Sequence, residues 1–236
     1  MNILITGAQG QLGRFLIGTL NGYEGQYNIL THTRKTCDLR NVNELFQIFE
    51  KDVINLIIHT AAYTNVSKSD SDHTKVFRDN ILASVNVMSL GLSKRAKLAY
   101  ISTDFVFDGT KGNYKTTDKI NPQTVYAKTK ASIELAMSTY VNSLIIRTSF
   151  FGYAFPFDQA CRDRYTSKDY LDVIGPQVLS AALSDKTGIV HVGTKRKSFH
   201  ELAKRRGTDI VGLDCMSNET PEPLGQDYSL DDLYQK

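Results

Sequence analysis

The chain has 236 residues, 41% of them hydrophobic and 22% charged, with a formal net charge of +3 at pH 7. These proportions belong to a globular protein with room for a sizeable core, and the mild, dispersed charge argues against a nucleic-acid partner. No apolar run approaches the length that crosses a membrane, and Cys37, Cys161 and Cys215 are far apart and odd in number. The cysteines therefore predict neither a metal-ligand set nor a disulfide framework, and they suit a reducing, cytoplasmic location.

The N-terminus starts directly as a strand, with no cleavable leader expected. Asn2–Thr6 is a short apolar run of the kind found in buried parallel strands. It ends at Gly7-Ala8-Gln9-Gly10-Gln11-Leu12-Gly13, and a helical pattern follows through Leu12, Phe15, Leu16 and Leu20. Glycines between a strand and a helix point to a dinucleotide cradle. Gly7 permits the tight turn, Gly10 lets a pyrophosphate approach the backbone, and Gly13 lets the helix pack close to the strand. The free N–H groups of the first helical turn then favour an anion.

A second strand is predicted at 27–31, and the acidic residue that would hold a free ribose 2′-hydroxyl is missing from its end. Arg34 and Lys35 stand there instead. Either can hold a 2′-phosphate, or both are loop charges. Asp38 can cap a helix predicted at 42–49, face the adenine, or do both. The third strand, 54–59, runs into Thr60-Ala61-Ala62-Tyr63-Thr64, where two alanines leave room for a flat ligand. His59, within the strand, reads as structural. A helix at 72–94 precedes a fourth strand at 97–102, which ends at Thr103. Ligands bind beyond the C-terminal ends of parallel strands, where the glycine loop, Ala61 and Thr103 all lie.

Asn121 is expected to cap the next helix, with Pro122 in its first turn. On that helix Tyr126 and Lys130, four residues apart, project from one face. An ammonium beside a phenol favours the phenolate and lowers its pKa, which makes the tyrosine a useful acid near neutrality. A fifth strand is predicted at 143–148. Beyond Gly152 the pattern is less regular: a helix from 169 with a break at Gly175-Pro176, a strand at 188–192, and a helix at 199–206 capped by Ser198 with Glu201. The Lys195-Arg196-Lys197 and Lys204-Arg205-Arg206 clusters read as solvated helix ends. The acidic tail from Asp214, with Pro221 and Pro223, reads as a surface wrap. Successive strand–helix units predict an α/β fold, a doubly wound parallel (Rossmann) sheet over residues 1–152, with a small substrate-binding region and tail at 153–236.

Taken together, the glycine loop, Ser102-Thr103-Asp104-Phe105-Val106-Phe107-Asp108-Gly109, Asn121-Pro122-x-x-x-Tyr126-x-x-x-Lys130 and Arg147-Thr148-Ser149 resemble the extended short-chain dehydrogenase/reductases. More narrowly they resemble the dTDP-4-dehydrorhamnose reductase family, as do Ala61-Ala62-Tyr63-Thr64 and Gly188–Gly193 followed by Ser198-x-x-Glu201-Leu202-Ala203. The resemblance implies an NAD(P)H-dependent reductase that delivers hydride to the C4 carbonyl of a nucleotide-linked 4-keto-6-deoxy sugar, as in dTDP-rhamnose biosynthesis. The implied catalytic residues are Thr103, Tyr126 and Lys130. Gly7, Gly10, Gln11, Leu12 and Gly13 fall on the pyrophosphate, Arg34, Asp38, Leu39, Ala61, Ala62 and Tyr63 on the adenosine half, and Tyr126 and Lys130 on the nicotinamide ribose. Thr103, Asp104, Phe105 and Phe150 fall on the substrate. NADP(H) is the favoured cofactor, with NAD(H) as the alternative.

Some features depart from the family. Related dehydratases carry a glutamate where this chain has Phe105, which argues for reduction rather than elimination of water. Phe150 replaces the family's tryptophan, and the stretch 151–165 is short. Arg14 stands where some members place a metal-linked glutamate, so no metal is expected. A homodimer is compatible with the resemblance. Two other readings share it: a non-catalytic binding subunit like the regulatory subunit of methionine adenosyltransferase, and a sugar-nucleotide epimerase.

Overall fold

The computed structural model describes residues 1–207, 209–215 and 227–235. Its elements, in order, are β1 (Asn2–Thr6), α1 (Gln11–Asn21), β2 (Asn28–Thr31), α2 (Val42–Ile48), β3 (Leu56–His59), the short α3 (Val66–Ser69) and α4 (His73–Val76). A π-helical turn at Phe77–Leu82 joins α4 to α5 (Ala83–Lys94), and β4 (Lys97–Ser102) leads through a 3-10 turn to α6 (Val125–Met137) and β5 (Ser143–Thr148). Then come β6 (Phe150–Phe151), β7 (Gln159–Cys161), β8 (Tyr165–Thr166), β9 (Asp169–Tyr170), α7 (Leu171–Leu183), β10 (Gly188–Val192) and β11 (Lys197–Ser198). The chain closes with α8 (Phe199–Lys204), β12 (Val211–Leu213) and β13 (Asp227–Tyr228).

The central sheet has six strands in the order β10-β5-β4-β3-β1-β2, all parallel. The doubly wound α/β expectation is met. Alternate residues of each strand point to opposite faces, so Ile3 and Ile5 pack into one core with α1 and α7, and Leu4 into the other with α2, α5 and α6. Strands β3 and β5 are buried throughout, as strands covered on both faces must be. The direction of winding reverses between β1 and β3, which opens the crevice where ligands bind in such sheets.

Several local expectations need correction. The sheet does not stop at Gly152: α7 and β10 lie beyond it, and β10 pairs with β5 from Gly188 opposite Leu144 to Val192 opposite Thr148. The division at residue 152 is therefore not a boundary of the sheet. No break occurs at Pro176, which sits inside α7. Gly175 is there for packing, because a Cβ at that position would lie 2.4 Å from the Phe15 ring of α1. The cap of α2 is Asn41, whose side chain accepts from the Glu44 amide, and not Asp38. Likewise α6 starts at Val125 with Thr124 as its cap, while Asn121 lies outside it and donates to Asp108. Ser198 and Glu201 do form the capping box of α8.

The cysteine expectation is overturned. β12 pairs with β7, which brings Cys161 and Cys215 into a disulfide with Cα atoms 5.5 Å apart. Cys37 is the free cysteine and is buried. Pro221 and Pro223 of the expected tail lie outside the described residues. The end of the tail is inserted rather than wrapped on the surface: β13 pairs with β8, Ser229 is fully buried, and Leu230 packs with Val106, Phe107 and Tyr114. Among the described residues, no helix is long and apolar enough to cross a membrane.

Candidate active site

The glycine loop leaves β1 with Gly7 at φ +68°, and a Cβ there would lie 2.7 Å from the Ala61 amide nitrogen. Only glycine takes that conformation freely. At Gly13 a Cβ would lie 2.3 Å from the Gly7 carbonyl oxygen, so this glycine lets α1 sit against the turn. Gly10 caps α1 without a side-chain hydrogen bond, and the first turn of the helix carries no acidic residue. The amides of that turn are thus left for an anion.

Two cavities meet over this helix start, sharing Gly10, Thr60 and Ala62. The first, about 240 Å³, is lined by Gly7, Arg34, Asp38, Leu39, Ala61 and Ala62 among others. The second, about 540 Å³, takes in Gln11, Leu12 and Gly13 together with Thr103, Phe105, Tyr126, Lys130 and Phe150. Two chambers joined over an uncapped helix N-terminus fit a dinucleotide, its pyrophosphate at the junction and its two nucleosides on either side.

The first chamber has a basic rim. Asp79, nearly buried, holds Arg34, Arg40 and Lys75 at 3.3 Å each. Asp38 is gripped by Arg40 through Nε at 2.9 Å and Nη2 at 2.6 Å, which holds its carboxyl below the ordinary range. Its charge is thereby engaged before any ligand arrives. The sequence reading missed Arg40 and His32 among the residues that line this chamber. Arg40 lies two residues beyond Asp38 in the same loop, a signal that was available. His32, just after β2, lines the chamber, and burial pushes its pKa down.

Tyr63, expected on the adenosine half, lines neither chamber. Its backbone is held instead by Asn80, which accepts from the Tyr63 amide and donates to its carbonyl and to Thr129 on α6. Asn80 lies in the π-helical turn, a geometry often found at functional sites, and here the turn ties the loop after β3 to α6. His59 is satisfied on both sides by Thr6 and Ser84, in keeping with a structural role.

In the second chamber, Tyr126 and Lys130 share the cavity-facing side of α6. The helix start beneath them is fixed by Thr124, Asp70 and Ser69, which accept from the amides of Ala127, Val125 and Tyr126. Thr103 faces the Tyr126 phenol in this chamber and acts to lower its pKa. Thr103 in turn donates to Asp104 at 3.1 Å, and Asp104 also accepts from Ser149. Asp104 therefore does not line the chamber; it is 2% exposed and sits behind Thr103.

The electrostatics reverse the sequence reading of the pair. Burial pushes the Tyr126 phenol above its ordinary value, the Asp104 charge pushes it further, and only the Thr103 hydrogen bond works the other way. Lys130 is not among the groups that act on it. Burial pushes Lys130 itself down to about 7, against the pull of Glu134. Its ammonium lies 4.1 Å from the centre of the Tyr100 ring, a cation–π contact. Glu134 is engaged elsewhere, paired with Arg147 at 2.7 Å and accepting from Ser102.

One further residue of the chamber carried no signal in the sequence. Lys168 lines it, with its ammonium 4.5 Å from the Phe151 ring centre and 5.8 Å from that of Phe105.

Comparison with known proteins places these features in context. Residues 1–195 match the profile of the family described as RmlD substrate binding domain. The chain is 35% identical over 220 residues to dTDP-4-dehydrorhamnose reductase of Aggregatibacter actinomycetemcomitans, covering 91% of this chain and 74% of that protein. With the Mycobacterium tuberculosis protein of the same name it is 30% identical over 154 residues, which is 63% of this chain and 49% of that one. Among solved structures it resembles dTDP-4-dehydrorhamnose reductase from Bacillus anthracis in complex with NADP, with a TM-score of 0.85, 25% identity and coverage of 98% and 90%. The hypothetical dTDP-4-dehydrorhamnose reductase from Sulfolobus tokodaii gives a TM-score of 0.83 at 29% identity, with coverage of 98% and 92%.

Proposed function

The chain belongs to the RmlD substrate binding domain family, and on that premise we propose that it is an NAD(P)H-dependent reductase of a nucleotide-linked 4-keto-6-deoxy sugar, with NADP(H) as the favoured cofactor. The observation that carries this reading is the second chamber, where Thr103, Tyr126 and Lys130 converge beside the open N-terminus of α1.

Gly7, Gly10, Gln11, Leu12 and Gly13 would hold the pyrophosphate through backbone amides. Ala61, Ala62, Leu39 and Asp38 would hold the adenosine half, Arg34 the 2′-phosphate, and Tyr126 and Lys130 the nicotinamide ribose. When bound, the reduced nicotinamide supplies the hydride for the sugar C4 carbonyl carbon. Tyr126 gives its phenolic proton to the carbonyl oxygen as that oxygen gains negative charge. The phenol keeps its proton until the carbonyl oxygen becomes an alkoxide, a base strong enough to take it. Thr103 orients the phenol, and Asp104 and the Phe105 amide orient Thr103. Once the proton has left, the Lys130 ammonium one helical turn away stabilises the tyrosinate. Phe105 and Phe150 give the sugar apolar walls.

The same reading places the chain in the cytoplasm and allows a homodimer. The test is loss of NADPH absorbance on mixing the purified protein with a panel of nucleotide 4-keto-6-deoxy sugars. Turnover with at least one of them is expected, and no turnover with any would overturn the proposal.

A further inference from the structure

We propose that Lys168 forms an anion-binding subsite of the second chamber and takes the diphosphate of the nucleotide-linked substrate. This rests on the reductase reading and extends it to how the substrate is held.

The charge of the chamber carries the argument. Among the described residues that line it, Lys130 and Lys168 are the charged side chains, and no carboxylate is among them. Lys130 is committed beside Tyr126, with its ammonium over the Tyr100 ring. A nucleotide-diphosphate sugar brings two negative charges into this space, and Lys168 is the cation left to meet them.

The setting of Lys168 is built rather than incidental. Its ammonium stands among three rings contributed by distant stretches of chain: Phe151 at 4.5 Å, Phe199 at 5.7 Å and Phe105 at 5.8 Å. Among the described residues it takes part in no ion pair; burial pushes its pKa down, and the charge of Asp104 acts the other way. Asp104 already accepts from Thr103 and Ser149. The rings hold the ammonium by cation–π contact but offer its N–H groups no acceptor, which an incoming anion supplies.

The backbone that presents Lys168 is also fixed. The Lys168 amide donates to Thr166 at 2.9 Å. The next residue, Asp169, is 1% exposed and anchors Arg205 at 2.6 Å, Lys197 at 3.6 Å and Thr194 at 2.9 Å. Asp169 begins β9 and pairs with Phe150, a residue of the chamber wall, on β6. The cation is thus held on a rigid strand junction, as a specificity contact requires.

The experiment is calorimetric titration of the full chain with dTDP, with thymidine and with NADPH, for wild type, Lys168→Met and Lys168→Arg. Lys168→Met is expected to weaken dTDP by roughly 10- to 100-fold, the span of a lost hydrogen bond to a charged group. Its affinities for thymidine and NADPH should stay at the wild-type values, and Lys168→Arg should retain most of the dTDP affinity. Unchanged dTDP binding by Lys168→Met would overturn the subsite. So would an equal loss of thymidine, which marks a structural role, or a loss of NADPH instead, which assigns the ammonium to the cofactor. A wild-type protein that binds NADPH but none of dTDP, UDP or GDP removes the nucleotide-sugar reading itself, a result distinct from failure of the Lys168 contact alone.

Discussion

Tyr126→Phe separates the chemistry of the site from its architecture. The substitution removes one hydroxyl from a side chain that is 9% exposed and leaves the ring in place. Thr103 beside it keeps its own partners, Asp104 at 3.1 Å and the Phe105 amide at 3.2 Å, so no buried polar atom is orphaned. The cost in stability should therefore be that of one neutral hydrogen bond, about 1 kcal/mol, or roughly 2–4 °C in melting temperature for a chain of this size. Loss of the acid should lower turnover by about 10²–10⁴-fold, equivalent to about 3–5 kcal/mol in the barrier. The assay is NADPH oxidation on a confirmed substrate, with cofactor affinity and melting temperature measured on the same preparation. A variant that folds, binds NADPH and turns over at the wild-type rate would refute Tyr126 as the acid, and a binding role for the chain would then gain ground over catalysis.

Four further outcomes follow from the same geometry. Gly10→Val should block cofactor binding while leaving the fold intact: Gly10 has φ −72°, which valine adopts, and its Cβ would meet only the Gly7 carbonyl oxygen at 3.2 Å, so the side chain projects toward the pyrophosphate; normal cofactor titration by the variant would mark the loop as a plain turn. NADPH should bind at least as well as NADH, and Arg34→Ala should weaken NADPH about tenfold, ~1.4 kcal/mol, with little effect on NADH; a wild type that prefers NADH tenfold would sink this. Thiol titration of the unreduced, denatured protein should find Cys37 alone reactive, and reducing the Cys161–Cys215 bridge, which spans 54 residues, should destabilise the fold by about 4 kcal/mol on the chain-entropy account; three reactive thiols before reduction would contradict the disulfide. Because the buried Lys130 amine has its pKa lowered to about 7, folding below that pH must carry a desolvated charge, and the penalty fades as pH rises toward the unfolded value near 10.4; Lys130→Met should therefore gain stability over wild type most at pH 6 and least at pH 10, and a difference independent of pH would refute the shifted lysine.

What could be read from the sequence was whatever depended on near neighbours. The strands stood out because each is a short apolar run bounded by a turn. The glycine loop declared itself because Gly7 and Gly13 answer steric demands imposed within a few residues: a left-handed turn, and a helix seated against its own entry loop. The pairing of Tyr126 with Lys130 on one face followed from helical spacing alone, wherever the helix began. Its actual start is at Thr124, a local cap that accepts from the Ala127 amide, and Ser69 and Asp70, more than fifty residues earlier, meet the Tyr126 and Val125 amides; Asn121-Pro122 was a competing local signal with no such support. The cysteines failed for a related reason, since only the pairing of β12 with β7 makes neighbours of Cys161 and Cys215.

The chemistry of the site depended still more on distant segments. An ammonium four residues along a helix from a phenol does lower its pKa in water-exposed surroundings, and that is the inference the spacing licensed. Here both groups are buried, and desolvation dominates each: it raises the phenol and lowers the amine. Burial is a property of what packs around α6, including Asp104 from the β4 end and Tyr100 from the strand beneath, and no pattern within residues 121–130 encodes it. Lys168 is the same case carried further. Its three phenylalanines come from positions 105, 151 and 199, and none belongs to a motif that names the others. Where the fold strips water from a cation and leaves one direction open is set by segments far apart in the chain, and the one-dimensional pattern does not mark it.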